Sequence, residues 1–181
     1  YSSEYFGVET FRDGFRYNLH FEKGQNIGGL QKEATNRKQT GSRQRWKPDL
    51  EVFTDVDIPV EFYENVLKRQ AVVNPGLLFV FRNETESGME TKEFIYEKGI
   101  VDYVAELAGE NALTSIQYWE DEQRGRDRED KDEYKVKLSV AFCFSNQVNL
   151  AEYYHNSSHL EHGGSPEKAV KQAFVSQIDR Y

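Results

Sequence analysis

The chain has 181 residues, the length of one ordinary domain, and its 23 lysines and arginines against 31 acids give a net charge of -8, which excludes a uniformly basic nucleic-acid wrapper. An aromatic content of 14% excludes full disorder, and no apolar run reaches the roughly 18–20 residues of a membrane helix. No signal-peptide pattern opens the chain, and the lone Cys143 has no partner for an internal disulfide, so the expectation is a soluble, cytoplasmic domain.

Tyr5 to Phe11 is an extended run, and Asp13-Gly14 supplies the positive φ of a type I′ turn. Phe15, Tyr17, Leu19 and Phe21 alternate with Arg16, Asn18, His20 and Glu22, so residues 5–23 read as a β-hairpin with His20 on its polar face. Gly24 to Asn36 is polar and glycine-bearing, a loop or a short irregular edge strand. Ser42 to Lys47 reads as a short strand stopped by Pro48-Asp49. Phe62, Val66, Leu67 and Val73 give residues 61–73 the pattern of an amphipathic helix, ended by Asn74-Pro75-Gly76. The apolar run Leu77 to Phe81 predicts a buried strand.

Lys92 to Tyr96 predicts another strand. A helix over residues 100–107 turns Ile100, Val101, Val104 and Leu107 to the core and ends near Gly109. Val136, Leu138, Val140, Phe142 and Phe144 form the cleanest alternation in the sequence, with Cys143 on its opposite face. Leu150 to Asn156 reads as a strand. Ser165 as N-cap, Pro166 as N1 and Glu167 as a first-turn acid open a last helix striped by Val170, Phe174, Ile178 and Tyr181. Several strands and three helices predict an α+β fold, the helices laid on one mixed sheet.

Two segments carry strong local charge. Ala34 to Pro48 holds Arg37, Lys38, Arg43, Arg45 and Lys47 without an acid. Residues 120–133 hold Glu120, Asp121, Glu122, Asp127, Glu129, Asp130, Asp132 and Glu133 against four basic residues, a charged loop that forms a hairpin tip or a disordered insertion. His155, His159, Glu161 and His162 are the best metal candidates, since i, i+4 histidines share a helical face. Asn156-Ser157-Ser158 and Gly163-Gly164 nevertheless mark a loop, and no metal ligand set is assigned. There is no phosphate loop, nucleophile elbow or Cys-x-x-Cys pair. On motifs alone the chain is not a complete enzyme.

The order of motifs does resemble one family. Thr40-Gly41-Ser42, Trp46-Lys47-Pro48-Asp49 and Val52-Phe53 are similar to the "GT…F.PD..IF" run of the DNA gyrase B and topoisomerase IV B subunits. Leu67-Lys68-Arg69 and Val73-Asn74-Pro75-Gly76-Leu77 resemble the helix and "LN.G" turn that follow. Phe94 to Ile100, with Tyr103-Val104 and Leu107, resembles "F.YEGGI..FV..L". His162-Gly163-Gly164-Ser165 stands where the family has "EGGT", and Lys168 to Phe174 matches the start of the next helix. Upstream, Phe21-Glu22-Lys23-Gly24 resembles strands ending in "F..G".

The resemblance implies a single transducer domain over residues 1–181. Its expected fold is a two-layer α+β sandwich of the ribosomal protein S5 domain 2-like type, with a left-handed β-α-β crossover. The implied enzyme is an ATP-dependent type IIA topoisomerase, an isomerase. It uses ATP and Mg²⁺ bound mainly outside these residues, and this chain alone is expected to be inactive and to bind neither. The implied partners are double-stranded DNA, a gyrase A-like breakage-reunion subunit and a second copy of the intact B protein, with no membrane. The family's ATP-contacting Gln-Thr-Lys does not occur. Lys171 matches a basic position that faces captured DNA, and Arg43, Arg45 and Lys47 are further DNA-facing candidates, because a cation tracks phosphates without reading sequence. Pro166 and His162 depart from the family pattern. Two alternatives stand beside this reading: a non-catalytic α+β binding module using the basic 34–48 segment on an acidic partner, and a metallohydrolase using His155, His159 and His162.

Overall fold

The computed structural model describes residues 2–126 and 128–181, so Tyr1, at the head of the expected domain, and Asp127 of the acidic stretch lie outside the described residues. The chain divides into two compact units, Tyr1–Ile58 and Pro59–Tyr181.

The first unit is one antiparallel sheet in the order β3-β2-β1-β4, formed by β1 (Ser3–Arg12), β2 (Phe15–Glu22), β3 (Gln25–Ala34) and β4 (Gly41–Pro48). The β1–β2 hairpin is as expected, with Asp13 and Gly14 at φ 53° and 76° as a type I′ turn requires. A second hairpin follows, because Lys23 and Gly24 also take positive φ. Gly24 to Asn36 is therefore mostly a full edge strand, broken only by a register shift opposite Asn18–His20. The period of two sends Phe6, Val8, Tyr17, Leu19 and Phe21 to one half-buried face. Trp46 shares that face, donates to Ser3 Oγ at 2.7 Å and meets Phe53 edge-on. Asp49 is buried where β4 stops, and its carboxylate accepts from Glu51 N at 2.9 Å.

The second unit holds α1 (Val60–Val73), β5 (Phe79–Thr85), β6 (Gly88–Phe94), α2 (Ile100–Ala108), a 3₁₀ turn at Gly109–Asn111, β7 (Gln117–Gly125), β8 (Tyr134–Phe142), β9 (Tyr154–His155), β10 (Ser158–His159) and α3 (Gly164–Ile178). Its core is small: Ala71, Val72 and Tyr96 packed against Val73, Phe79, Phe94, Ile100 and Tyr103. Phe62 and Val66 stay exposed, so α1 buries the end of its stripe rather than the whole. Gly99 makes the closest approach. Its φ is 54°, and a Cβ there would lie 2.9 Å from the Val72 carbonyl and 2.8 Å from Pro75 Cγ.

Helices with antiparallel strands make the α+β class expected, but the single mixed sheet is not formed. The strands of the second unit pair as three separate two-stranded ribbons. Every strand pair among the described residues is antiparallel. A ribbon has one neighbour at most on each face, which leaves Leu77 and Leu78 exposed ahead of β5 instead of buried within it. Val136 and Leu138 are likewise exposed on β8. The acidic stretch is part strand, since residues 120–125 lie on β7. Leu150 to Asn156 contributes only the two residues of β9. The last helix begins after Gly163 with no side-chain cap, so Ser165 lies inside its first turn and not at its N-cap.

Candidate functional site

Lys171 lies on the exposed side of α3, one turn after Glu167, and its Nζ is 2.6 Å from the Glu167 carboxylate. That hydrogen bond, with the negative charge behind it, raises the Lys171 pKa. The side chain is 70% exposed but already neutralised by its neighbour.

Arg43, Arg45 and Lys47 lie at alternate positions of β4 and so share one face, opposite Glu9, Gly7 and Tyr5 of β1. Their partners differ. Lys47 pairs with Glu4 at 2.7 Å. Glu9, the acid facing Arg43, is taken by Arg16, which also reaches Glu33 at 3.6 Å. Arg43 and Arg45 make no ion pair or side-chain hydrogen bond among the described residues. The guanidinium of Arg37 sits 4.2 Å over the Phe11 ring, on the same face.

The second unit contains a polar cluster that the sequence did not mark. Three consecutive residues near the end of α1 reach three places. Lys68 bonds Glu106 of α2 at 2.5 Å. Arg69 approaches Glu152 at 4.0 Å. The Gln70 amide donates to the Ser157 carbonyl at 2.7 Å. The Tyr96 hydroxyl donates to Glu106 at 2.5 Å, and the Tyr154 hydroxyl to Glu152 at 2.7 Å. Burial, reinforced by a nearby carboxylate, pushes the Tyr103 pKa up to about 12, and the same two causes raise Tyr96 and Tyr154. Burial opposes ionisation of Glu106, but the bonds from Lys68 and Tyr96 prevail and hold its carboxyl below the usual range. At neutral pH the tyrosines are thus fixed donors and Glu106 a fixed acceptor. The cluster ties segments together and does not exchange protons.

The histidines do not converge. In the β9–β10 register His159 faces Tyr154 and His155 faces Ser158, which puts the two imidazoles on opposite faces of the hairpin. His159 packs edge-on to Tyr154. No group of three or more His, Cys, Asp or Glu among the described residues is placed to hold a metal ion. A cleft of about 530 Å³ lies beside them, lined by Arg69 and by the carboxylates Glu152, Glu161 and Glu167. A second, of about 290 Å³, is lined by Lys68, Glu93 and Glu106. No described helix is long and apolar enough to cross a membrane.

Known proteins resemble the chain along its length. The profile of the DNA gyrase B family matches residues 99–181, which lie within the second unit. The DNA gyrase B protein of Mycoplasmoides gallisepticum is 27% identical over 99% of this chain and 28% of its own length. The DNA topoisomerase 4 B protein of Enterococcus faecalis is 24% identical over 99% of this chain and 25% of its own length. Among solved structures, the 43K ATPase domain of Thermus thermophilus gyrase B in complex with an aminocoumarin is similar with a TM-score of 0.73. It is 26% identical and matched over 99% of this chain and 47% of that one. The chain therefore spans only about a quarter of the length of these curated relatives.

Proposed function

We propose that this chain, a relative of the B subunits of DNA gyrase and topoisomerase IV along its whole length, is the transducer region of an ATP-dependent type IIA topoisomerase. The observation that carries the reading is likeness to a gyrase B ATPase fragment over 99% of the chain at a TM-score of 0.73. ATP and Mg²⁺ would be held by residues outside this chain, whose own clefts are carboxylate-lined. The chain would relay nucleotide state toward the DNA gates by rigid-body rotation against the ATPase domain of the intact B protein. Residues 1–181 would serve as one relay in the cytoplasm, with a second copy of the intact B protein, a breakage-reunion subunit and duplex DNA as partners.

Lys171, Arg43, Arg45 and Lys47 would face the DNA. Each offers a cation to phosphate without reading sequence. The test is ATP hydrolysis by the full-length polypeptide that carries these residues, with its breakage-reunion partner, in the presence and absence of duplex DNA. Hydrolysis stimulated by DNA is expected, and the 181-residue chain alone should show none. A folded full-length polypeptide without DNA-stimulated hydrolysis overturns the reading.

A further inference from the structure

The four cations proposed to face DNA are not equally available. A lysine that already holds a carboxylate must give it up, or carry it along, to meet a phosphate. The carboxylate then repels the very charge the lysine attracts. Lys171 is held by Glu167 and Lys47 by Glu4. On the polar face of the four-stranded sheet, by contrast, the acids within reach are used up by Arg16, which takes both Glu9 and Glu33. Arg45 faces Gly7, which has no side chain at all. Arg37 leans on an aromatic ring rather than on an acid.

We infer that Arg37, Arg43 and Arg45 form the primary phosphate-binding track of this chain, engaging the backbone of duplex DNA along the outer strand of the first unit. This deepens the proposed function by naming the DNA-binding surface and rests on that reading. Among the described residues β4 is the last strand of its sheet, so no further strand of that sheet pairs with its outer side. Its side chains on one face recur about every 6.8 Å, close to two phosphate rises along a DNA strand. All three residues are exposed arginines, whose planar fork accepts two phosphate oxygens at once. The stacked rings of Tyr5 and His20 lie on the same face, 5.8 Å apart. The acidic balance of the whole chain is no obstacle, because exposed charges more than about 10 Å away are screened at ordinary salt.

Each phosphate neutralised contributes about 0.9 to the slope of log affinity against log salt. Three arginines therefore predict a slope of about -2.7, or a roughly 40-fold loss of affinity between 50 and 200 mM salt. The test uses the 181-residue chain and a fluorescein-labelled duplex of about 20 base pairs, read by anisotropy across that salt range. R43Q/R45Q should leave a slope of about -0.9 and a loss of only about 3.5-fold. R37Q should remove about one phosphate's worth, and K171Q or K47Q no more than that. All five substituted positions are exposed, and circular dichroism verifies that each variant folds.

Three results overturn the inference: R43Q/R45Q keeping the wild-type slope, K171Q costing more than the double variant, or the chain binding polyglutamate but no duplex at 50 mM. The last would favour an acidic protein partner. None of the three bears on the transducer reading, which stands or falls on DNA-stimulated hydrolysis by the full-length polypeptide.

Discussion

Replacing Glu152 with alanine tests whether polar ties, rather than the small apolar core, fix the segment ahead of α3. The side chain is 14% exposed and accepts from the Tyr154 hydroxyl at 2.7 Å. A hydrogen bond to a charged acceptor is worth about 1.5–3 kcal/mol, and truncation leaves the Tyr154 phenol without that acceptor. The Arg69 pair adds little, about 0–1 kcal/mol, because its separation is 4.0 Å and Arg69 is partly exposed. A net loss of about 2 kcal/mol is therefore expected, which lowers the melting temperature by roughly 4–8 °C in a chain of this size. Near-ultraviolet circular dichroism, which reads the tyrosines directly, measures it. Glu152→Gln keeps an acceptor and should lose about 1–1.5 kcal/mol. If the alanine variant does not fold, the cycle Glu152→Gln with Tyr154→Phe should still show a coupling of about 1 kcal/mol. A loss under about 1 kcal/mol in the alanine variant, or no coupling in the cycle, refutes the reasoning.

Glu106 gives a pH-dependent test. Its folded pKa lies below the ordinary value of 4.5, so its stabilisation is complete above that value and is lost as pH falls through the depressed one. The wild type should thus exceed Glu106→Gln in unfolding free energy from urea titration at pH 6, by about 0.5 kcal/mol after screening, and the gap should close toward pH 3. A gap that persists at pH 3 contradicts this. Gly99→Ala should cost about 2–4 kcal/mol, since positive φ and contact with the Val72 carbonyl both resist a Cβ. Gly109→Ala, at φ 49° with open space around it, should cost only about 1 kcal/mol; equal losses would remove the steric term. In anisotropy, R43Q/R45Q should flatten the salt dependence of DNA binding more than K171Q does.

Local chemistry made some elements legible. Asp13-Gly14 announces its turn because both residues tolerate positive φ, and β1–β2 follows. Lys23-Gly24 makes the same kind of turn without announcing it. Lysine has no intrinsic liking for φ 46°, and the turn is held from outside, by Lys23 N bonding the Glu4 carbonyl and Lys23 Nζ pairing with Glu51. The β8 alternation predicted a face correctly, but a face is not a buried face. Burial needs a second layer, and much of the β7–β8 ribbon lacks one. The candidate site shows the same limit. All four predicted cations are exposed or nearly so, yet sequence cannot reveal that Lys47 meets Glu4 across 43 positions or that Arg16 takes the acid facing Arg43. The order of availability therefore reverses, with Lys171 falling behind the two arginines.

The polar cluster gives the proposed relay a physical route. Apolar contacts are non-directional and let packed segments slide, whereas a hydrogen bond fixes distance and angle. Lys68, Arg69 and Gln70 are consecutive, so they leave α1 in three directions, toward α2, Glu152 and Ser157. Glu152 and Ser157 belong to the segment that runs directly into α3. A displacement of α1 is then passed to both neighbours at once, through contacts that break before they stretch. The buried apolar cluster beside them, among the described residues, is Ala71, Val72 and Tyr96, and Tyr96 itself hands its hydroxyl to the cluster. The fittings that make the second unit one body are thus largely electrostatic. Their loss should loosen α3 from α1 before it melts either helix, so Glu152→Gln in the full-length polypeptide should lower DNA-stimulated hydrolysis more than basal hydrolysis. An equal fall in both would assign Glu152 to stability alone.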